Sequence, residues 1–282
     1  MPMSATPPSP IPTTPLEPPP GWDWPPARAA TRRSAWARLE VAVASSCGRG
    51  HEQNEDAHSP LSLAGRLFVV ADGVGGGAMA HTASRLLVAR LHRELDDDRL
   101  GADRIRNAVQ DADEAIARHI ASRSETPGAA TLALCAPANL RATRWFVAWV
   151  GDCRVYRIAA GGAGAQLLTR DDTFAHLGET PPPGSSADDP ARMVGNGATT
   201  GANVALCPLA AGERLALCSD GVHKHVDAEA LGRLLGAHGA LASRCEAVLA
   251  LARRRGSVDD ATLMLVHHGG FAVPGLRWGV AR

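Results

Sequence analysis

The chain has 282 residues, enough for one large domain or two small ones. Its 29 basic and 29 acidic side chains cancel, which argues against a surface built for nucleic acid or for a membrane. No apolar stretch approaches the ~18 residues of a membrane span, no secretion-signal pattern is present and the six cysteines are scattered singly, so we expect a reduced, cytoplasmic protein.

The N-terminal segment differs in composition from the rest of the chain. Residues 1–26 contain eleven of the twenty prolines and show no helix or strand periodicity. Such a segment cannot bury enough apolar surface to fold. We therefore predict a disordered tail over 1–33, a folded domain over 34–270 and a second tail over 271–282.

From about residue 36, the chain changes to short apolar runs and amphipathic stretches, which predict strands and helices. The predicted strands are 39–45, 66–71, 129–135, 145–151, 153–158, 203–207, 213–218 and 262–268. Apolar residues at helical spacing predict helices over 80–95, 103–121, 228–236 and 241–255. The strands follow one another through short turns and the helices come in consecutive pairs. This grouping predicts an α+β fold of antiparallel sheets with helices packed outside.

One long segment shows neither helix nor strand periodicity. Residues 171–202 include a Pro-Pro-Pro-Gly run at 181–184 and a Gly-Asn-Gly run at 195–197. Both runs preclude a long helix or strand. A segment of this length with little regular structure is usually a functional flap or lid, and we predict one here.

Aspartates recur along the chain in the neighbourhood of the predicted strands. The five are Asp56, Asp72, Asp152, Asp220 and Asp259, and three of them, Asp72, Asp152 and Asp220, lie beside glycine. Carboxylates grouped at the ends of buried strands are unfavourable unless cations lie among them. Mg²⁺ and Mn²⁺ prefer shells made entirely of oxygen ligands. The pattern therefore predicts a dinuclear Mg²⁺ or Mn²⁺ hydrolytic centre.

Six motifs occur along the chain, and five of them contain one of these aspartates. They are Asn-Glu-Asp at 54–56, Asp-Gly-x-Gly-Gly at 72–76, Gly-Asp-x-Arg-Val-Tyr-Arg at 151–157, Leu-Thr-Arg-Asp at 168–171, Cys-Ser-Asp-Gly at 218–221 and Asp-x-Ala-Thr at 259–262. One motif alone would be weak, because Asp-Gly is common in turns. Together they resemble the metal-dependent Ser/Thr protein phosphatases (PPM, type 2C) in their compact bacterial form, over about residues 40–268. The resemblance implies an antiparallel β-sandwich flanked by helix pairs, in four αββα layers.

The resemblance also implies a ligand set. Asp56 would bind one metal ion, and Asp72 would bridge both, with the Gly73 carbonyl beside it. Asp220 and Asp259 would complete the site, so these four aspartates are the expected catalytic residues. The cofactors would be two divalent cations, Mn²⁺ or Mg²⁺.

Further positions follow from the same resemblance. Asp152 would correspond to a third, weaker metal position, shared with Asp220. Glu55 would act through a metal-bound water, and Asp260 adds a negative charge beside the ligands.

The phosphate-binding position departs from the family pattern. His51 stands where the family usually has an arginine that binds the substrate phosphate, and Arg49, two residues earlier, is the alternative phosphate-binding residue.

A second motif suggests a different mechanism. The spacing of Cys135 and Arg141 fits a thiolate phosphatase, but Pro137 predicts a hairpin turn there instead of a phosphate-binding loop. We therefore reject the thiolate mechanism.

The expected function is removal of phosphate from phosphoserine and phosphothreonine in proteins, opposing a bacterial Ser/Thr kinase, by a monomer without nucleic-acid or membrane partners. An alternative is a catalytically weak relative that binds phosphoproteins or a regulator. A two-metal hydrolase of small phosphoesters is a third possibility, disfavoured because few aromatic residues lie near the motifs.

Overall fold

The computed structural model describes residues 27–34, 37–62, 66–75, 78–95, 100–162 and 164–271. The strands within them are β1 (Arg28–Ser34), β2 (Ala37–Ser46), β3 (Ala57–His58), β4 (Phe68–Val74), β5 (Ala129–Pro137), β6 (Arg144–Val150), β7 (Arg154–Ile158), β8 (Ala165–Leu167), β9 (Asn203–Pro208), β10 (Arg214–Cys218) and β11 (Ala261–Phe271). The helices are α1 (Ala78–Leu95), α2 (Ala102–Ala121), α3 (Phe174–Leu177), α4 (Asp220–His223), α5 (Ala228–Gly236) and α6 (Leu241–Arg254).

The strands form two antiparallel sheets that face each other. One sheet has the order β1-β2-β11-β10-β7-β8, and the other has the order β3-β4-β5-β6-β9. Apolar side chains from both sheets fill the space between them, including Val41, Phe68, Trp145 and Leu217. The rings of Phe68 and Trp145 lie 5.7 Å apart between centroids. The predicted antiparallel β-sandwich is confirmed.

The two long helix pairs cover the outer faces of the sandwich. Helices α1 and α2 pack on the five-stranded sheet through Leu87, Leu91 and Ile116, among others. Helices α5 and α6 pack on the six-stranded sheet through residues such as Leu231 and Val248. Both pairs carry their apolar residues at the i, i+3/i+4 spacing that predicts them. The fold is thus the expected four-layer αββα arrangement.

No helix in the described part of the chain has both the length and the apolar character that crossing a bilayer requires.

The start of the folded domain corrects the sequence prediction. Residues 28–33, predicted as tail, belong to β1, which pairs along its whole length with β2 from Arg28 opposite Val43 to Ser34 opposite Ala37. The backbone N–H of Ala27 also donates a hydrogen bond of 2.9 Å to Glu246 on α6. Edge strands tolerate polar and charged side chains, so the strand has no apolar pattern to reveal it. Phe271, assigned to the C-terminal tail, ends β11; residues 1–26 and 272–282 lie outside the described residues.

The segment 171–202 has little regular structure, as predicted, apart from the single turn of α3. It is nevertheless fastened to the domain near its end. The buried carboxylate of Asp113 on α2 accepts hydrogen bonds from the backbone N–H groups of Gly195 (2.5 Å), Gly197 (3.1 Å) and Thr199 (3.0 Å). Its start is fastened too, because the backbone N–H of Asp172 donates to the Gly151 carbonyl at 2.9 Å.

Two truncations test the corrected domain boundary. Removal of residues 1–26 should leave the melting temperature unchanged, because their composition provides no packed surface. Removal of residues 1–36 should lower it by several degrees, since β2 loses its neighbour and each kcal/mol shifts Tm by about 2–4 °C in a domain of this size. Thermal melts of the two proteins check this. Equal melting temperatures would show that β1 contributes nothing to the fold.

Candidate metal centre

Antiparallel pairing brings the predicted aspartates to one end of the sandwich. The end of β10 pairs with the start of β11, which in turn pairs with the end of β2. Asp220 follows β10 after Ser219, and Asp259 precedes β11 at the same edge. From the other sheet, Asp72 lies near the end of β4, Asp56 lies just before β3, and Asp152 lies in the turn between β6 and β7.

The charges of the other four aspartates all act on the carboxylate of Asp72. Desolvation raises the pKa of Asp72 well above its usual range, and the neighbouring charges of Asp56 and Asp220 raise it further. Burial likewise raises the pKa of Asp56 well above the usual value. Desolvation alone would raise the pKa of Asp220 too, but the Lys224 ammonium keeps it below the ordinary value. The site therefore has too little positive charge for its carboxylates.

Two carboxylate oxygens in this group lack a hydrogen-bond partner among the described residues. They are Oδ1 of Asp56 and Oδ1 of Asp220, and both are inaccessible to water. Buried acceptors are normally paired, so unpaired ones point to a missing ligand. The atoms near them that could bind a cation are carboxylate and backbone oxygens, which are the ligands that Mg²⁺ and Mn²⁺ prefer. The residues present therefore fit a hard divalent cation.

Gly73 lies where the backbone is most crowded. A Cβ added there would lie 2.6 Å from the backbone of Ala80 on α1 and 2.9 Å from the carbonyl oxygen of Glu55. Only glycine therefore allows β4, α1 and the loop that carries Asp56 to pack this closely.

Ser219 is a positioning residue that the sequence reasoning did not single out. Its hydroxyl donates a 2.8 Å hydrogen bond to Oδ2 of Asp56, and accepts one of 2.9 Å from the backbone N–H of Thr262. It therefore links the carboxylate of Asp56 to both β10 and β11. The only sequence signal for this role is its place before Asp220.

Arg253 is a second residue that was missed. Its guanidinium, buried at the end of α6, donates to the carbonyl oxygen of Ser46 (3.0 Å) and to the hydroxyl of Ser257 (3.1 Å). It also donates a short hydrogen bond to the carbonyl oxygen of Asp259. It joins the loop after β2 to the loop before β11 and so fixes the backbone of a predicted ligand.

Asp260 holds the loop between β2 and β3 in place. Its buried carboxylate accepts hydrogen bonds from the backbone N–H groups of Gly48 (2.5 Å) and Glu55 (2.7 Å). It also lies 3.1 Å from Nδ1 of His51, and this hydrogen bond raises the pKa of His51. The backbone N–H of Arg49, the other predicted phosphate-binding residue, donates to the carbonyl oxygen of Val258 at 2.7 Å. Asp260 thus holds His51 next to Asp259, whereas the backbone of Arg49 is tied to the loop before β11.

Among the described residues, one geometric group offers a competing metal site. His51, Asp259 and Asp260 each bring one ligand atom within 4.8 Å of the others. The carboxylate of Asp260, however, is already engaged by two backbone N–H groups and by the imidazole. This group is therefore a weaker candidate than the cluster with unpaired carboxylate oxygens.

Asp152 is tied to the turn that follows Asp220. Nε2–H of the buried His223 donates a 2.9 Å hydrogen bond to the Asp152 carbonyl, and burial lowers the pKa of His223 to about 4, so its imidazole is neutral. Burial and the charge of Asp220 raise the pKa of the Asp152 carboxyl to about 7, although Lys224 opposes this. Asp152 does not pair with Arg154, which instead binds Asp171 through 2.9 and 2.6 Å contacts.

The structure supports the rejection of a thiolate mechanism. Cys135 lies in the core between the sheets, where burial raises the pKa of its thiol well above the usual value. Pro137 and Arg144 end and begin the two strands of a hairpin, as the sequence predicts.

A sequence profile of protein phosphatase 2C matches residues 45–256. The chain belongs to the protein phosphatase 2C family. The matched range contains four of the five clustered aspartates; Asp259 follows it by three residues.

Individual relatives agree with this membership. The serine/threonine protein phosphatase PstP of Mycobacterium tuberculosis is 30% identical over 240 residues, covering 80% of this chain and 44% of the relative. The chain thus spans less than half the length of that relative. The crystal structure of the PstP catalytic domain in complex with two manganese ions has a TM-score of 0.68 and 27% identity, covering 81% of this chain and 97% of that chain. PppA of Pseudomonas aeruginosa, described as a regulatory component of the type VI secretion system, has a TM-score of 0.68 and 25% identity, covering 87% and 99%.

The carboxylate cluster predicts how the metal-free protein responds to pH. The folded-state pKa values of Asp56 and Asp72 are raised. The folded chain therefore binds more protons than the unfolded chain above the ordinary carboxyl pKa of about 4, and stability falls as pH rises through the raised values. In chelator, Tm should fall as pH rises above about 4, and Asp72→Asn should reduce that fall.

Melting curves in chelator across this pH range test the prediction, with Asp111→Asn on the exposed face of α2 as the matched control. A metal-free Tm that is flat or rises with pH, or an equal effect of the two substitutions, would contradict it.

Proposed function

We propose that this chain is a metal-dependent phosphoprotein phosphatase that hydrolyses phosphoserine and phosphothreonine. The observation that carries the proposal is the group of mutually repelling aspartates with unpaired buried oxygens. In a member of the protein phosphatase 2C family, this group has the composition and position expected of the catalytic centre.

The proposed ligands are Asp56, Asp72, Asp220, Asp259 and the carbonyl of Gly73, holding two Mn²⁺ or Mg²⁺ ions. The four carboxylates carry four negative charges, which two divalent cations balance. The two manganese ions of the related PstP catalytic domain support this number. When bound, such a pair of ions activates a water molecule for in-line attack on phosphorus and stabilises the leaving oxygen.

The protein's own residues would orient this reaction. Ser219 and Asn54 fix Asp56 from two directions, since the side chain of Asn54 accepts a 3.0 Å hydrogen bond from the backbone N–H of Asp56. Glu55 lies in the same loop, where we propose that it orients a water molecule beside the centre. Asp72 is partly exposed, which leaves the cluster open to a substrate phosphate.

The finer parts of the proposal concern partners. The substrates would be phosphorylated proteins, and a Ser/Thr kinase would supply them. We propose that the protein acts as a monomer in cytoplasmic signalling. A catalytically weak protein that only binds phosphoproteins is the competing outcome, and the substitutions below distinguish the two.

Metal removal and substitution of single ligands test the proposed centre. Hydrolysis of a phosphothreonine peptide should require added Mn²⁺ or Mg²⁺ and stop in chelator. Asp72→Ala and Asp220→Ala should each lower kcat by several orders of magnitude, because each removes a ligand needed to activate the water. Asp111→Ala is the matched control and should keep full activity. Turnover that survives chelation, or that the two ligand substitutions leave intact, would contradict the proposed function.

The phosphate contact generates a separate prediction. If the His51 imidazolium grips the phosphate, KM should rise with pH as the imidazolium loses its proton. Because the hydrogen bond with Asp260 raises the pKa of His51, the rise should lie above the ordinary value of about 6.5. His51→Arg should lower KM and flatten the rise, since a guanidinium stays charged and binds two oxygens at once.

The competing residue provides the control. If Arg49 contacts the phosphate instead, Arg49→Ala should raise KM sharply, and His51→Arg should leave the pH profile unchanged. KM measured against pH for wild type and both variants decides between the two residues.

A further inference from the structure

Lys224, the sole lysine of the chain, lies between two of the clustered aspartates. Its Nζ donates a 2.7 Å hydrogen bond to Oδ2 of Asp220 and lies 3.8 Å from Oδ2 of Asp152. The two carboxylates are largely buried, with side chains 15% and 4% exposed, whereas that of Lys224 is 44% exposed. The ammonium therefore reaches in from the rim and meets both carboxylates where they approach each other.

The backbone holds Lys224 in this position. Lys224 directly follows the last residue of α4, and its N–H donates to the Asp220 carbonyl at 3.0 Å. The preceding residue, His223, binds the Asp152 carbonyl from the same turn. The turn thus carries one carboxylate, is tied to the other, and directs the ammonium between them. An ordinary surface ion pair on a helix lacks such a fixed second partner.

The charges of this arrangement restrict what else the two carboxylates can bind. A divalent ion shared by Asp152 and Asp220 would have to lie within a few ångströms of the ammonium, and like charges at that distance repel strongly in a partly buried site. The lysine already supplies a positive charge to both carboxylates, so an additional cation there would gain less.

We propose that the Lys224 ammonium takes the place of a third divalent cation between Asp152 and Asp220, so that the protein holds two exchangeable metal ions and one built-in charge. The inference rests on the proposed function, because it takes the two-ion centre of Asp56, Asp72, Asp220 and Asp259 as given. It revises the sequence expectation that Asp152 binds a third ion. Asp152 then acts as a partner of Lys224 that positions the turn after β10.

The number of bound ions tests this inference independently of activity. Equilibrium dialysis against Mn²⁺, with the bound metal quantified, should give two ions per wild-type chain. Lys224→Met should add a third, weaker ion, because the aliphatic stem is kept while the charge is removed. Lys224→Gln provides a second neutral variant should the first be unstable, and Lys224→Arg, which keeps the charge, should stay at two. Adding Asp152→Asn to Lys224→Met should remove the extra ion again.

Other results would overturn the inference. A wild-type protein that binds three ions, or neutral variants that still bind two, would show that Lys224 does not occupy a cation position. A raised substrate KM in Lys224→Met with an unchanged ion count would assign the lysine to the phosphate instead. In each of these cases the two-ion centre stands. Wild-type protein that binds no Mn²⁺ would overturn the proposed function itself, and this inference with it.

Discussion

Five aspartates lie at one end of this sandwich, and their carboxylates repel one another most strongly where they are withdrawn from water. Asp56 and Asp72 illustrate the effect, since burial and their neighbours push both pKa values well above the ordinary range. A fold gains nothing from such a group unless positive charge compensates it. Part of the compensation is built in, through Lys224 beside Asp220. The rest is left to cations, and the unpaired oxygens of Asp56 and Asp220 are where they would bind.

Much of the surrounding structure holds this unfavourable group together. The buried guanidinium of Arg253 joins the loops at either side of the site, and Ser219 links Asp56 to two strands of the other sheet. Gly221 lets the turn after β10 pack against the backbone of Asp260, because a Cβ there would lie 1.9 Å from the carbonyl oxygen of Asp260. These contacts set the separation of the carboxylates before any ion binds, which is the preorganisation that a two-metal site requires.

The sequence was most informative where local pattern and structure coincide. Helix α2 was predictable because its apolar residues recur at helical spacing, and the aspartates because each lies at or near the end of a strand, three of them beside glycine. Strand β1 was not predictable, since an edge strand with arginines has no apolar alternation. Ser219 and Arg253 act across 163 and 207 residues of sequence, so no local pattern contains their roles. Lys224 is the instructive case, because a single lysine between two histidines forms no pattern, whereas its ammonium contacts two of the clustered aspartates.

Anomalous diffraction from crystals grown with Mn²⁺ tests the account most directly, because it locates the ions without relying on activity. The account predicts two manganese peaks enclosed by Asp56, Asp72, Asp220 and Asp259, with the Lys224 ammonium between Asp220 and Asp152. Manganese bound only at His51, Asp259 and Asp260, or no peak among the clustered aspartates at saturating Mn²⁺, would contradict it.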